Sequence, residues 1–243
     1  MDKRPATVHA ELEGTVLVFD IWSDYAHYRK IETTTSPLTY SIPTGTALAG
    51  MLAAILGLDR DSYYETFSPK NTRFAIKILN PLKKTRINIT LLDTSRGFCL
   101  RDIGENPRTL IPHEFMKDPK YRICVWMRDN NLRTKFQKCL QEHKSHYTPC
   151  LGTANLIADF MYVNEYNLKR TDEELVQSVA RMDNGNLLIE PHKQYFIERI
   201  PVYMDRYRVV QDYAETVYER KGEPVKMSGV ISYRVGSDNI VFL

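Results

Sequence analysis

Between residues 15 and 166 the apolar positions switch twice from the two-residue period of a strand to the 3.6-residue period of a helix, and back. Residues 15–22 (TVLVFDIW) are β-branched and aromatic, which predicts a strand. Leu48, Met51, Leu52, Ile55 and Leu56 make a helical stripe over 46–57, with Thr44 or Thr46 able to cap its start and Gly57 to end it. Residues 73–79 (RFAIKIL) and 84–92 (KTRINITLL) alternate, and 121–127 (YRICVWM) reads as a further strand. Leu132, Phe136, Cys139 and Leu140 mark a second helix, capped by Asp129 or Asn130, and 155–166 (NLIADFMYVNEY) returns as a strand. With the segment around 82–120 set aside, the order is β-α-β-β-α-β. That order predicts an α+β, ferredoxin-like domain, the arrangement that RNA-binding RRM folds also use.

The segment set aside is roughly forty residues, too long for an ordinary turn. Its first part alternates and residues 108–115 can return it, so a long inserted β-hairpin thumb is expected. The expected organisation is a domain over 1–168, with the thumb at about 82–120, followed by a linker and a small β-rich C-terminal appendage over 169–243. Within the tail, Leu175, Val176, Val179 and Met182 predict a small helix ended by Asn184-Gly185. Residues 186–190, 194–204, 206–220, 225–235 and 239–243 read as strands, and Lys221-Gly222-Glu223-Pro224 as a turn.

With 43% hydrophobic residues in 243, the chain can bury a substantial core, and its net charge of +3 is only mildly basic. The charge is uneven. Residues 83–122 hold nine Lys/Arg against five Asp/Glu, leaving the rest close to neutral. The cysteines at 99, 124, 139 and 150 form no Cys-x-x-Cys pair and have no His at zinc spacing; they read as reduced thiols of a cytosolic protein, with Cys124 and Cys139 on core faces. His143-x-x-His146 lacks the helical spacing and the carboxylate of a metal site. No metal or cofactor is therefore expected. The polar start and the longest apolar run, 47–58, about half a membrane span, lead to the expectation of a cytoplasmic protein with no membrane partner. Phosphate-binding glycine loops and nucleophile elbows do not occur.

Three regions carry candidate chemistry. After the first strand comes Tyr25-Ala26-His27-Tyr28-Arg29-Lys30, where cations can neutralise phosphates and rings can stack bases at roughly 1–3 kcal/mol each. The plain alternative is a core Tyr28 beside a solvated Arg29 and Lys30. Next, Thr44, Gly45 and Thr46 open the apolar helix, whose first N–H groups can meet an anion. The alternative is an ordinary capped helix packed through Ala49 and Gly50. Third, Lys83, Lys84, Arg86, Arg101, Arg108 and Lys117 give the thumb its charge, a footprint suited to RNA or a subunit.

FDIW-x2-YAHYRK, TTTSPLTYSIPTGTALAGMLAAILGL, ILNPLKKTRIN, HEFMKDPKYRI and HKSHYTPCLG follow one another in the chain. Together these blocks resemble the Cas-five family of CRISPR-associated proteins, closest to its type I-B branch. The resemblance implies a ferredoxin-like RAMP domain in a non-catalytic subunit of a type I Cascade surveillance complex for antiviral defence. It implies binding of the CRISPR RNA 5′ handle, a thumb against the Cas-seven-type backbone subunit, a second surface on the Cas-eight-type large subunit, and target DNA nearby. The RNA-binding set so implied is Tyr25, His27, Arg29, Lys30, Thr44, Gly45, Thr46, Lys83, Lys84, Arg86, Arg108 and Tyr147, with no catalytic residue. Two positions depart from the family pattern: Pro43-Thr44-Gly45 stands where Pro-Pro-Arg is common, and Tyr28 where Phe is usual. Two other readings stay open. One is a metal-independent endoribonuclease using His113 and Lys117, since type I-C relatives cleave with Tyr, Lys and His. The other is a protein-only RRM-like assembly module.

Overall fold

The computed structural model describes residues 12–92 and 108–243; Cys99 and Arg101 lie outside them. The chain is mixed α/β. Strand β1 (Thr15–Trp22) leads through three short strands, β2 (Tyr25–Ala26), β3 (Tyr28–Arg29) and β4 (Thr39–Tyr40), into helix α1 (Gly45–Leu56). Then come β5 (Thr72–Ile78), β6 (Lys84–Leu92), β7 (Arg108–Lys117), β8 (Lys120–Met127), helix α2 (Asn130–Gln141) and β9 (Asp159–Asn167). The tail holds β10 (Lys169–Thr171), β11 (Leu175–Val176), β12 (Ala180–Arg181), β13 (Asn186–Leu188), β14 (Tyr195–Met204), β15 (Val210–Glu219), β16 (Val225–Ser228), β17 (Ser232–Val235) and β18 (Asp238–Ile240).

Four strands form an antiparallel sheet in the order β5-β8-β1-β9. Successive side chains of a strand point to opposite faces. Leu17, Phe19 and Ile21 of β1 therefore meet α1 and α2 through Leu48, Leu52, Ile55, Phe136 and Leu140, with the Phe136 ring edge-on to Phe19 at 5.5 Å. Val16 and Val18 face the other way, with Ala75 and Cys124, under Tyr233, Val235, Ile240 and Phe242 of the tail. Both faces being covered, β1 reads in the sequence as one apolar run rather than an alternation. The tail also joins the first core: Ile200, Val202, Ala214, Tyr218 and Leu243 are buried within it, and Leu243 N donates to Phe74 O at 2.8 Å.

The helix ends follow local chemistry. Thr44, extended at ψ 156°, caps α1 by accepting from Ala47 N, and Gly57 closes it at φ 73°. Asp129 caps α2, accepting from Asn131 N and Leu132 N. The helix expected over 175–182 does not form. Ladder partners override its helical spacing: β11 pairs with β16 and β12 with β15, burying Val176 and Ala180, and a single 3-10 turn follows at Met182–Asn184. The strand expected from 155 begins at Asp159, because Leu156 N bonds back to Thr153 O in a turn. Among the described residues no helix is long and apolar enough to cross a membrane.

Candidate nucleic-acid interface

The basic aromatic cluster is divided between two short ladders. Tyr25 and Ala26 of β2 pair with Lys117 and Met116 at the root of β7, while Tyr28 and Arg29 of β3 pair with Tyr40 and Thr39 of β4. The two-residue period then sorts the side chains. Ala26 and Tyr28 are core, and Arg29 is exposed, its guanidinium donating to Thr33 O at 3.2 Å. Tyr28 takes the plain reading as a core residue: its hydroxyl is buried without a partner among the described residues, and burial raises its pKa well above the usual value. Tyr25 is half-buried, edge-on to Phe115 at 6.1 Å.

His27 is buried. Its Nδ1–H donates to Glu114 O at 2.7 Å, and its ring lies 5.4 Å from Phe115 and 6.0 Å from His113. Burial lowers its pKa and outweighs the bond to Glu114 O. Lys30 is committed to an ion pair, Nζ to Glu198 Oε1 at 2.8 Å, and lies 5.1 Å over the Tyr40 ring.

A cleft of about 600 Å³ opens beside these residues. His27, Arg29, Thr44 and Thr46 line it, so four of the residues singled out in the sequence converge. Distant segments complete the lining with five tyrosines: Tyr63, Tyr203 and Tyr213 are partly exposed, while Tyr40 and Tyr64 are buried. Arg199 stacks on Tyr213 at 4.5 Å. Where α1 and β5 are joined, Asp61 accepts from Tyr64 OH at 2.7 Å and from Arg208 Nη2 at 2.9 Å, tying that loop to the β14–β15 turn. The bond from Tyr64 and then the Arg208 guanidinium hold the Asp61 carboxyl below the usual range. The sequence reading missed the tyrosines because they belong to four elements; only their abundance, fifteen in the chain, is visible locally.

The other singled-out residues lie elsewhere. Gly45 opens α1 where a Cβ would fall 2.4 Å from Val202 O, so its bareness admits the backbone of β14. Lys84 donates to Glu114 Oε1 at 3.0 Å and to Thr39 O at 2.9 Å, linking the thumb root to β4. In the β6–β7 register Lys84, Arg86 and Arg108 share one face, and Ile87, Ile89, Leu91, Ile111 and His113 the other. Lys83, Arg86 and Arg108 are exposed. Tyr147 is exposed too, edge-on to His146 at 4.6 Å. His113 and Lys117 lie on one strand four residues apart, about 13 Å along the backbone at ordinary strand rise. Among the described residues no group of three His, Cys, Asp or Glu is placed to hold a metal ion. The sheet face opposite the helices, the face on which RRM domains stack bases, is covered here by the tail.

A family model described as CRISPR-associated protein (Cas_Cas5) matches residues 16–174, more than half of the chain. A CRISPR protein from Archaeoglobus fulgidus, known from a crystal structure, superposes with a TM-score of 0.57 at 12% identity, over 93% of this chain and 98% of that one. A chain of a CRISPR RNA-guided surveillance complex gives 0.54 at 12% identity, over 92% and 95%. At such identities the likeness is one of fold. No curated protein sequence matches the chain.

Proposed function

The chain belongs to the CRISPR-associated protein (Cas_Cas5) family, and we propose that it is a non-catalytic RNA-binding subunit of a type I-B Cascade complex, cytoplasmic, holding the 5′ handle of CRISPR RNA. We read the β5-β8-β1-β9 order, with α1 and α2 as crossovers, as ferredoxin-like. Residues 1–168 then form the RAMP domain, 82–120 its thumb, and 169–243 the C-terminal extension.

The observation that carries this reading is the cleft. Arg29 and the start of α1 supply positive potential, and the partly exposed rings of Tyr63, Tyr203 and Tyr213 supply stacking faces. That combination suits a single strand, whose bases stack while its phosphates stay near water. The exposed Lys83, Arg86 and Arg108 extend the path along the thumb, whose other, apolar face suits the Cas-seven-type backbone subunit. The Cas-eight-type large subunit and target DNA are assigned to the remaining surface of the assembled complex.

The test is binding of a single-stranded RNA bearing the repeat-derived 5′ handle. Arg29→Ala is expected to weaken it several-fold with the thermal midpoint unchanged; an unchanged affinity counts against the cleft. Incubating the protein with repeat RNA in EDTA is expected to give no discrete product. A cut that disappears in His113→Ala would establish the endoribonuclease reading instead.

A further inference from the structure

Glu198 stands in the middle of β14 with its side chain only 10% exposed, yet it is ionised among three donors, two from the ends of one segment and one from β15. Its Oε1 accepts from Lys30 Nζ at 2.8 Å. Its Oε2 accepts from Ser41 N at 2.9 Å and from Tyr218 OH at 2.6 Å. Lys30 and Ser41 are the two ends of the segment that bears β4. The same segment is closed at its base by Lys30 N donating to Leu38 O at 2.8 Å. One carboxylate therefore grips the β3–β4 hairpin just past the C-terminal end of each of its strands. Arg29 and Tyr40, which the hairpin carries, both line the cleft.

A buried charge is tolerated only when paired and hydrogen-bonded, and removing one partner leaves the other uncompensated. A phosphate that drew Lys30 away would strand Glu198 and would itself lie against a carboxylate. We propose that Glu198 and Lys30 are positioning residues: an internal ion pair that fixes the β3–β4 hairpin, so that Arg29 alone of the Arg29-Lys30 pair gives its charge to the ligand. Burial by itself would raise the Glu198 pKa, but the bonds from Lys30, Tyr218 and Ser41 outweigh it and hold the carboxyl below its usual range.

This inference rests on the cleft being the RNA site, and the experiment separates the two. Handle-RNA affinity is measured against salt for the full chain and for Arg29→Ala, Lys30→Met, Glu198→Gln and the Lys30→Met/Glu198→Gln double variant. Each phosphate neutralised on a single strand contributes about 0.7 to the slope of log K against log salt. Arg29→Ala should lower the slope by about that amount. Lys30→Met and Glu198→Gln should each weaken binding about tenfold with the slope unchanged, and the double variant should be no weaker than either alone. A slope lowered in Lys30→Met as in Arg29→Ala makes Lys30 a phosphate ligand and overturns the proposal. Amide hydrogen exchange in the free protein tests the clamp without RNA. Glu198→Gln should lose protection over residues 28–41 and keep it in β1 and β8; unchanged protection there overturns the clamp. Absence of RNA binding by the unmodified chain refutes the functional reading alone.

Discussion

At Gly45 and Gly152 a single added methyl group has nowhere to go. A Cβ at Gly152 would fall 1.9 Å from His27 O, and the residue's φ of +101° disfavours any side chain as well. Gly45 has only the steric conflict, at 2.4 Å from Val202 O. Gly45→Ala should cost about 1–3 kcal/mol, the range for overpacking, and Gly152→Ala more, both read by urea denaturation. The sequence places Gly45 in a helix start that suggests a phosphate; the group that approaches it is the backbone of a strand more than 150 residues away, which no local pattern names. Lys30 is a similar case. Its place in a basic run is visible in the sequence, and its partner Glu198 is not. Arg29, by contrast, is exposed on the cleft as its position in the run suggests. His27 yields a pH prediction. Burial lowers its folded pKa below 6.5, so between the two values the unfolded chain binds a proton that the folded chain does not. Stability is then full above about 6.5 and falls as the pH drops toward the folded value. His27→Gln should remove that part of the acid sensitivity in unfolding free energies measured against pH.

The elements that alternate, that carry caps, or that form a β-branched apolar run, as β1 does, were the ones legible in advance. β6 was read at its full extent because Ile87, Ile89 and Leu91 keep the two-residue period, and α2 because Asp129 precedes a clear stripe. β2, β3 and β4 were not, since two-residue strands carry no period; the contacts that hold β3 and β4 come from Glu114 and Glu198 on distant strands. Glu114 also defines where the thumb joins the body. It accepts from Thr39 N at 3.2 Å and from Lys84 at 3.0 Å, while its carbonyl takes His27. Beyond this root, Ile87, Leu91, Leu92 and Leu110 are exposed and add little to the fold. Excising residues 88–112 and joining Ile87 to His113, which face each other in register, through an Asn-Gly turn should leave a folded protein. Its thermal midpoint is expected within about 4 °C of the full chain, while association with the neighbouring subunit, followed by size-exclusion chromatography of the two together, is lost. A midpoint many degrees lower would show that the distal thumb packs on the body.

Across the whole molecule the decisive feature is where the tail lies. Its strands beyond Gly185 were visible in the sequence, whereas β10, β11 and β12 were read as linker and helix; that the tail covers the far side of the four-stranded sheet was not visible, because the apolar residues of β1 do not announce which face meets which cover. Tyr233, Val235, Ile240 and Phe242 exclude water from Val16, Val18, Ala75 and Cys124, which is why the cleft between α1 and β14–β15, and not the sheet face, is the surface proposed for RNA. Cys124 reports on that cover. It is 4% exposed, and burial pushes its thiol up to about 12, so almost no thiolate exists at neutral pH. In a variant whose cysteines at 99, 139 and 150 are serine, Cys124 should resist a thiol reagent in the native protein and react fully in denaturant. Trimming the cover with Tyr233→Ala, which leaves the strand ladder intact, should speed labelling at least tenfold by raising the population of locally opened molecules, the equivalent of about 1.4 kcal/mol. Equal rates with and without Tyr233, at equal global stability, would mean that the sheet face is open in solution and free to take RNA after all.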